Sequence, residues 1–231
     1  MIRTAIENYI IKTRNSNFRF DKSIPTSVIM TLLVNKFFSF VRGLRFLVIN
    51  KRVNKIFLGR SVKVFNKNNI YIGTNVTIGN SVSLSALGKG KLSISDNVNI
   101  GAFSQLIIST SFNNIGEYIK IEKNVALGEF SYLGGAGGLE IGSDTIIGQY
   151  FSAHPENHNY EDNNLLIREQ GTNRKGIKIG SNCWIGAKVT ILDGVVLGNH
   201  CVIAAGAVVT HSFTDNAMIG GIPAKIIRNL G

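Results

Sequence analysis

The sequence predicts an all-β fold in which short strands bend and begin again every six residues. From residue 70 onward an aliphatic residue, usually followed by glycine, returns at that interval. Ile72-Gly73, Ile78-Gly79 and Leu84 form one series, and Ile94, Ile100-Gly101 and Leu106 another. Ile121, Leu127-Gly128, Leu133-Gly134 and Leu139 form a third; the longest runs Ile179-Gly180, Ile185-Gly186, Ile191, Leu197-Gly198, Ile203 and Val209. A second, smaller residue stands four positions after the aliphatic one, as at Val76, Val98, Val125, Cys183, Val189 and Cys201. The chain also holds 25 glycines against 3 prolines, a balance that points to many tight turns rather than a linker or a collagen repeat. Six is neither the helical period nor a simple strand alternation. Two inward positions per six residues, separated by a glycine or polar turn residue, fit a strand that bends and restarts.

With 231 residues, 44% of them hydrophobic and 17% charged, the chain suits one domain with a buried core and is not mostly disordered. A net charge of +11 implies contact with something anionic: nucleic acid, a membrane surface or a phosphorylated ligand. No base-reading motif accompanies that charge, so nucleic acid is not expected as a partner. The N-terminal stretch lacks a compact apolar core followed by a small-residue cleavage site, so no secretory signal is expected. Two cysteines are too few for a disulfide scaffold. The expected compartment is the cytoplasm.

Three regions follow: a basic, partly helical extension over 1–55, the repeat domain over 56–220, and a C-terminal tail over 221–231. Within the extension, residues 25–49 crowd aliphatic and aromatic side chains around Lys36, Arg42 and Arg45, which interrupt any span long enough to cross a bilayer. A helix is expected there. It either covers the first coil of the domain or lies on an anionic leaflet as a peripheral membrane contact, and the two are not exclusive. The repeat loses phase at residues 107–120 and is interrupted by residues 152–177, an excursion whose length suggests function.

These hexads, the histidine-bearing excursion "SAHPENHNYED", the segment "IKIGSNCWIGAKVTILDGVVLGNHCVIAAGAVVT" and the ending "IGGIPAKIIRNL" resemble the left-handed β-helix, hexapeptide-repeat O-acetyltransferases. The resemblance is nearest to the galactoside, maltose and xenobiotic groups and to those serving bacterial surface polysaccharides. It covers about residues 56–229 and implies a left-handed parallel β-helix in which three hexads close one triangular coil. Cys183 and Cys201, eighteen apart, would then share one inward slot on consecutive coils, where free cysteine packs as a small hydrophobe.

The resemblance further implies an acetyl-CoA-dependent O-acetyltransferase acting on a sugar hydroxyl, with acetyl-CoA as donor substrate and no metal. A saccharide acceptor and a homotrimer with active sites between subunits are expected as partners. One histidine of the excursion would be the general base, a role suited to a neutral imidazole. His154-Pro155 matches one group of relatives and Asn157-His158 another; counting from Ile147-Gly148 favours His158, with His154 as alternative base or helper. Glu156 could help hold an imidazole tautomer. Trp184, Ala187, Ala205 and Thr210 correspond to the coenzyme wall, and Lys225 and Arg228 to basic residues that meet its phosphates. His211 stands where relatives often carry a base, which weakens the phosphate contact beside Thr210. The glycine run "YLGGAGGLEIG" over 132–142 would shape the acceptor pocket by letting a ligand approach the backbone. The rivals are an amino-sugar or antibiotic acceptor, a non-catalytic scaffold, and a three-histidine metal site using His154 and His158 with His200 or His211.

Overall fold

The computed structural model describes residues 2–13, 16–44 and 55–231. Among them, three sheets of nine, seven and six strands form the faces of a prism. The first face runs from Ile56–Leu58 through Trp184–Ile185 to Ala217–Gly221, the second from Lys63–Phe65 through Ser152–His154 to Val208–Val209, and the third from Ile70–Ile72 to Val196–Leu197. Neighbouring strands within each face are parallel, apart from a final antiparallel pair on the first. This is the left-handed β-helix that the resemblance implied.

Registers give the length of each coil. Trp184 pairs with Val202, one coil of eighteen residues, whereas Ile56 pairs with Val76 and Ala126 with Ile146, coils of twenty. Asn99 pairs with Ala126 and Ile146 with Trp184, so the two long coils are those that contain the interruptions.

Leu84, Leu106, Leu133, Ala153, Ile191 and Val209 point inward in register along the second face, and each is at most 1% exposed. A fully buried aliphatic side chain contributes about 1.5–3 kcal/mol, and a column of them has no alternative partner in so narrow a prism. Ile191→Ala should therefore cost about 2–5 kcal/mol, read as a lower urea midpoint with an unchanged slope. Both cysteines are buried in the interior, and burial pushes the Cys183 thiol up to about 11. Their thiols donate to Gly198 O and Thr214 O, each at 3.3 Å.

The glycines act differently from the turn reading. Left-handed backbone at the corners is carried mostly by other residues: Asn75, Asn97, Asn124 and Asp144 stack at one corner with φ between 58° and 62°. Their side chains form a ladder, Asn75 donating to Asn97, Asn97 to Asn124 and Asn124 to Asp144 at 2.7–3.1 Å. Asparagine and aspartate tolerate this conformation better than other non-glycine residues. The glycine that follows an inward aliphatic residue is needed for space: a Cβ on Gly128 would lie 2.4 Å from the backbone nitrogen of Gln149 on the next coil.

The expected helix over 25–49 is present as α2, Thr26–Gly43, preceded by α1, Ile2–Thr13. Residues 45–49, Arg45 included, fall outside the described residues. One side of α2 packs on the first strand: Phe40 lies 6.1 Å from Phe57, Arg42 Nε donates to Leu58 O at 2.8 Å, and Lys36 Nζ sits 3.5 Å over the Phe57 ring. Among the described residues no helix is long and apolar enough to cross a membrane. The C-terminal segment is no loose tail: Ala224–Asn229 turns back as an antiparallel strand on Ala217–Gly221.

Candidate active site

The two interruptions of the repeat meet on the second face. Residues 152–177 carry their own hairpin, in which Asn157–His158 pairs antiparallel with Thr172–Asn173. Its distal part is held by Asn159, which donates to Gln170 O at 2.9 Å, and Gln170, which donates to Asp162 O at 2.8 Å. Asp193 accepts from the backbone of Lys175 and Gly176 at 2.8–3.0 Å and returns the chain to the prism.

Arg174 ties this excursion to residues 107–120. Its Nε and Nη2 both reach Glu156 Oε2 at 2.5 Å. Nη1 donates to Asn114 Oδ1 at 3.1 Å and Ile115 O at 3.0 Å, and Nη2 to Asn114 O at 3.2 Å. Its side chain is only 15% exposed. Glu156 thus pairs with Arg174, whereas the sequence suggested a partner for an imidazole.

Between the joined segments lies a cavity of about 270 Å³ whose wall includes Ser109, Ser111, Tyr132, His154, His158 and Arg174. His154 ends the strand Ser152–His154, and its ring stacks on Tyr132 with centroids 5.3 Å apart and planes at 21°. Partial burial pulls its pKa below the usual histidine value. His158 lies on the exposed hairpin, and also borders an open groove of about 970 Å³ on the outer side of the excursion. Burial raises the Tyr132 hydroxyl, and the Glu156 charge adds to this.

Gly134, Gly135 and Ala136 of the glycine run line the same cavity. Packing already requires glycine there: a Cβ on Gly135 would stand 2.7 Å from Ile119 Cγ1, and one on Gly137 2.3 Å from Pro155 O.

The residues matched to the coenzyme wall separate into two groups. Trp184, 60% exposed, lies on the first face, and Ala187 and Ala205 occupy the corner between the first and second faces, where Gly206 N donates to Ala187 O at 2.9 Å. Lys225 joins this group by pairing with Gly220, beside Ala204. Arg228 pairs with Met218 further along the same hairpin. Thr210 lies on the other edge: it follows Val208–Val209, and the register through Leu192 sets it two rungs from His154. Ala187 stands before the left-handed corner residue Lys188 and Leu192 ends the second-face strand, so the two groups lie at opposite edges of that face. His200 Nδ1 contacts Asn216 Oδ1 at 2.8 Å, and His211 Nδ1 contacts Thr210 Oγ1 at 2.7 Å. Among the described residues no three histidine, cysteine or acidic side chains gather as a metal would require.

Sequence reasoning missed Tyr132, Arg174 and Asn114. A phase break at 107–120 and the arginine near the end of the excursion were the available signals, but whether the two would meet depends on coil register.

Residues 176–211 match the bacterial transferase hexapeptide family, six repeats. The prism agrees with this match over its last third, and the curated relatives to which the chain is similar are named as acetyltransferases. A lipopolysaccharide biosynthesis O-acetyl transferase by name, WbbJ of Escherichia coli, is 28% identical over 170 residues, 71% of this chain and 73% of that one. A Mycobacterium tuberculosis protein named as an acetyltransferase is 33% identical over 91 residues, 39% of this chain and 30% of the relative's length. A solved structure of a point mutant of AntD, an N-acyltransferase from Bacillus cereus in complex with dTDP and coenzyme A, has the same fold. Its TM-score is 0.50 at 19% identity, covering 78% of this chain and 83% of that one.

Proposed function

We propose that the protein is an acetyl-CoA-dependent O-acetyltransferase that modifies a sugar hydroxyl during assembly of a bacterial surface polysaccharide. The observation that carries this reading is the cavity that His154, flattened on Tyr132, lines together with Ser109, Ser111 and Arg174. In the proposed reaction the neutral imidazole of His154 takes the acceptor hydroxyl proton as that oxygen attacks the thioester carbonyl. The C–S bond then breaks, and the departing thiolate takes a proton from the imidazolium. The sequence count favoured His158 for this role; what supports His154 instead is its desolvated, stacked ring at a strand end, where its direction is held. His158, on the hairpin, suits acceptor contact. The polysaccharide setting draws on the name of the Escherichia coli relative, and a lipid-carried saccharide would bring the enzyme to the inner face of the membrane.

The coenzyme reading needs a second copy. Trp184, Ala187, Ala205, Lys225 and Arg228 on one side and His154 with Thr210 on the other are separated across the second face, so a donor bound along the first group reaches the base of a neighbouring chain. A homotrimer closes three such clefts. Co-assembled His154→Ala and Trp184→Ala chains, each weak alone, should then recover about a quarter of wild-type turnover by random assortment. Activity no greater than the two homotrimers give separately counts against a shared site.

The reaction itself is tested by coenzyme A release from acetyl-CoA with neutral sugars, amino sugars and lipid-linked saccharides. An ester product, cleaved by mild base, is expected. Acetylation of amines alone, with every hydroxyl acceptor inert, would sink the O-transfer reading.

A further inference from the structure

The N-terminal end of the prism presents a face that the proposed reaction does not use. On α2 the residues toward the prism are Lys36, Phe40 and Gly43. Beside them, at helical spacing, Met30, Val34, Phe37, Phe38, Val41 and Leu44 are each between 40% and 61% exposed. A helix that is apolar on its outer side is stable in water only when something covers it.

Charge says what the cover is. Residues 1–67 hold fourteen of the 25 lysines and arginines but only two of the 14 acidic residues, Glu7 and Asp21. That end therefore carries +12, and residues 68–231, with eleven basic and twelve acidic side chains, carry −1. The net positive charge of the chain thus falls in the part of the sequence that contains the exposed helix. α2 itself contains no acidic residue.

A polar stripe, Asn35, Ser39 and Arg42, borders the apolar one at spacings of four and three. Together with Phe38, Arg60 and Asn80 it encloses a cavity of about 470 Å³. Arg42 is held there by its bonds to Leu58 O and Ser39 Oγ, and Arg60 is exposed at the rim with its backbone nitrogen bonded to Asn80 Oδ1 at 2.7 Å. Two guanidiniums beside amide and hydroxyl groups suit a phosphate oxyanion, and the adjacent apolar stripe suits the acyl chains attached to it.

We propose that this end of the protein docks on an anionic phospholipid leaflet, with the outer stripe of α2 among the acyl chains and a headgroup phosphate between Arg42 and Arg60. This goes beyond the reaction and holds whichever sugar is acetylated. It also sets a height for that chemistry: His154 lies four rungs along the second face from Lys63–Phe65, about 19 Å at the usual strand spacing.

The test is sedimentation of the full-length protein with vesicles of phosphatidylcholine alone or with 30% phosphatidylglycerol, about 30 mol% being a common anionic load. Binding to the anionic vesicles is expected, falling as salt is raised. Phe37→Ser/Phe38→Ser should weaken it by about ten-fold or more, and Arg60→Gln by about five-fold. Equal binding to both vesicles, or none to either, overturns the proposal. So does wild-type binding by both variants. If vesicles are ignored and Phe37→Ser/Phe38→Ser instead lowers the oligomeric mass, the stripe is a subunit contact and the lipid reading falls.

Discussion

Replacing His154 with alanine is expected to lower kcat for acetyl transfer by about 10²–10⁴, the range a positioned general base supplies, and to leave the melting temperature near that of the wild type. The ring keeps an exposed edge in the cavity, so its removal costs little packing. His158→Ala should cost less and act mainly through KM, since that side chain borders the cavity from an exposed hairpin. The pH profile reports on His154. Only the neutral imidazole accepts a proton, and desolvation holds His154 below the ordinary histidine value of 6.5, so the acid limb of kcat/KM should fall below that pH. Tyr132→Ala uncovers the ring face and should move the limb up, whereas Tyr132→Phe keeps the stacking and leaves the limb near its wild-type position. Loss of turnover in His158→Ala with His154→Ala active would put the base four residues further along the chain.

The repeat was legible in the sequence because an inward aliphatic position recurs whatever the neighbouring coils contain. Ile185, Ile191 and Ile203 need only a narrow apolar interior, and each is at most 1% exposed as the hexads imply. The glycines were legible only in part. A glycine after an aliphatic residue looks like a turn signal, yet Gly128 and Gly186 are set by the approach of the next coil's backbone, 2.4 and 2.5 Å from where a Cβ would sit. That contact is between residues about twenty apart and leaves no local pattern. Of the candidate site, the sequence showed two histidines in an interruption. The other half of the site was not legible, because Asn114 and Arg174 are sixty residues apart and meet only after two coils of unequal length have closed.

Arg174→Ala should lower kcat/KM by about 10²-fold, the cost of a misplacement of about 1 Å at a reacting centre, although Arg174 need not touch the substrate. Its guanidinium satisfies Glu156, Asn114 Oδ1 and the carbonyls of Asn114 and Ile115 at once. No other side chain reproduces that planar fork, so Arg174→Lys should recover only a small part of the loss. The effect has an electrostatic half that a purely structural role would lack. With the arginine gone, Glu156 stands uncompensated beside the cavity, close enough that its charge already raises Tyr132. A nearby carboxylate favours the protonated imidazole, so the acid limb governed by His154 should shift upward in Arg174→Ala. Adding Glu156→Gln removes the charge without restoring the tie to residues 107–120. The double variant should therefore return the limb toward its wild-type pH while kcat/KM stays low. An unshifted limb in Arg174→Ala, with turnover lost, would mean that Arg174 acts through the loop geometry alone.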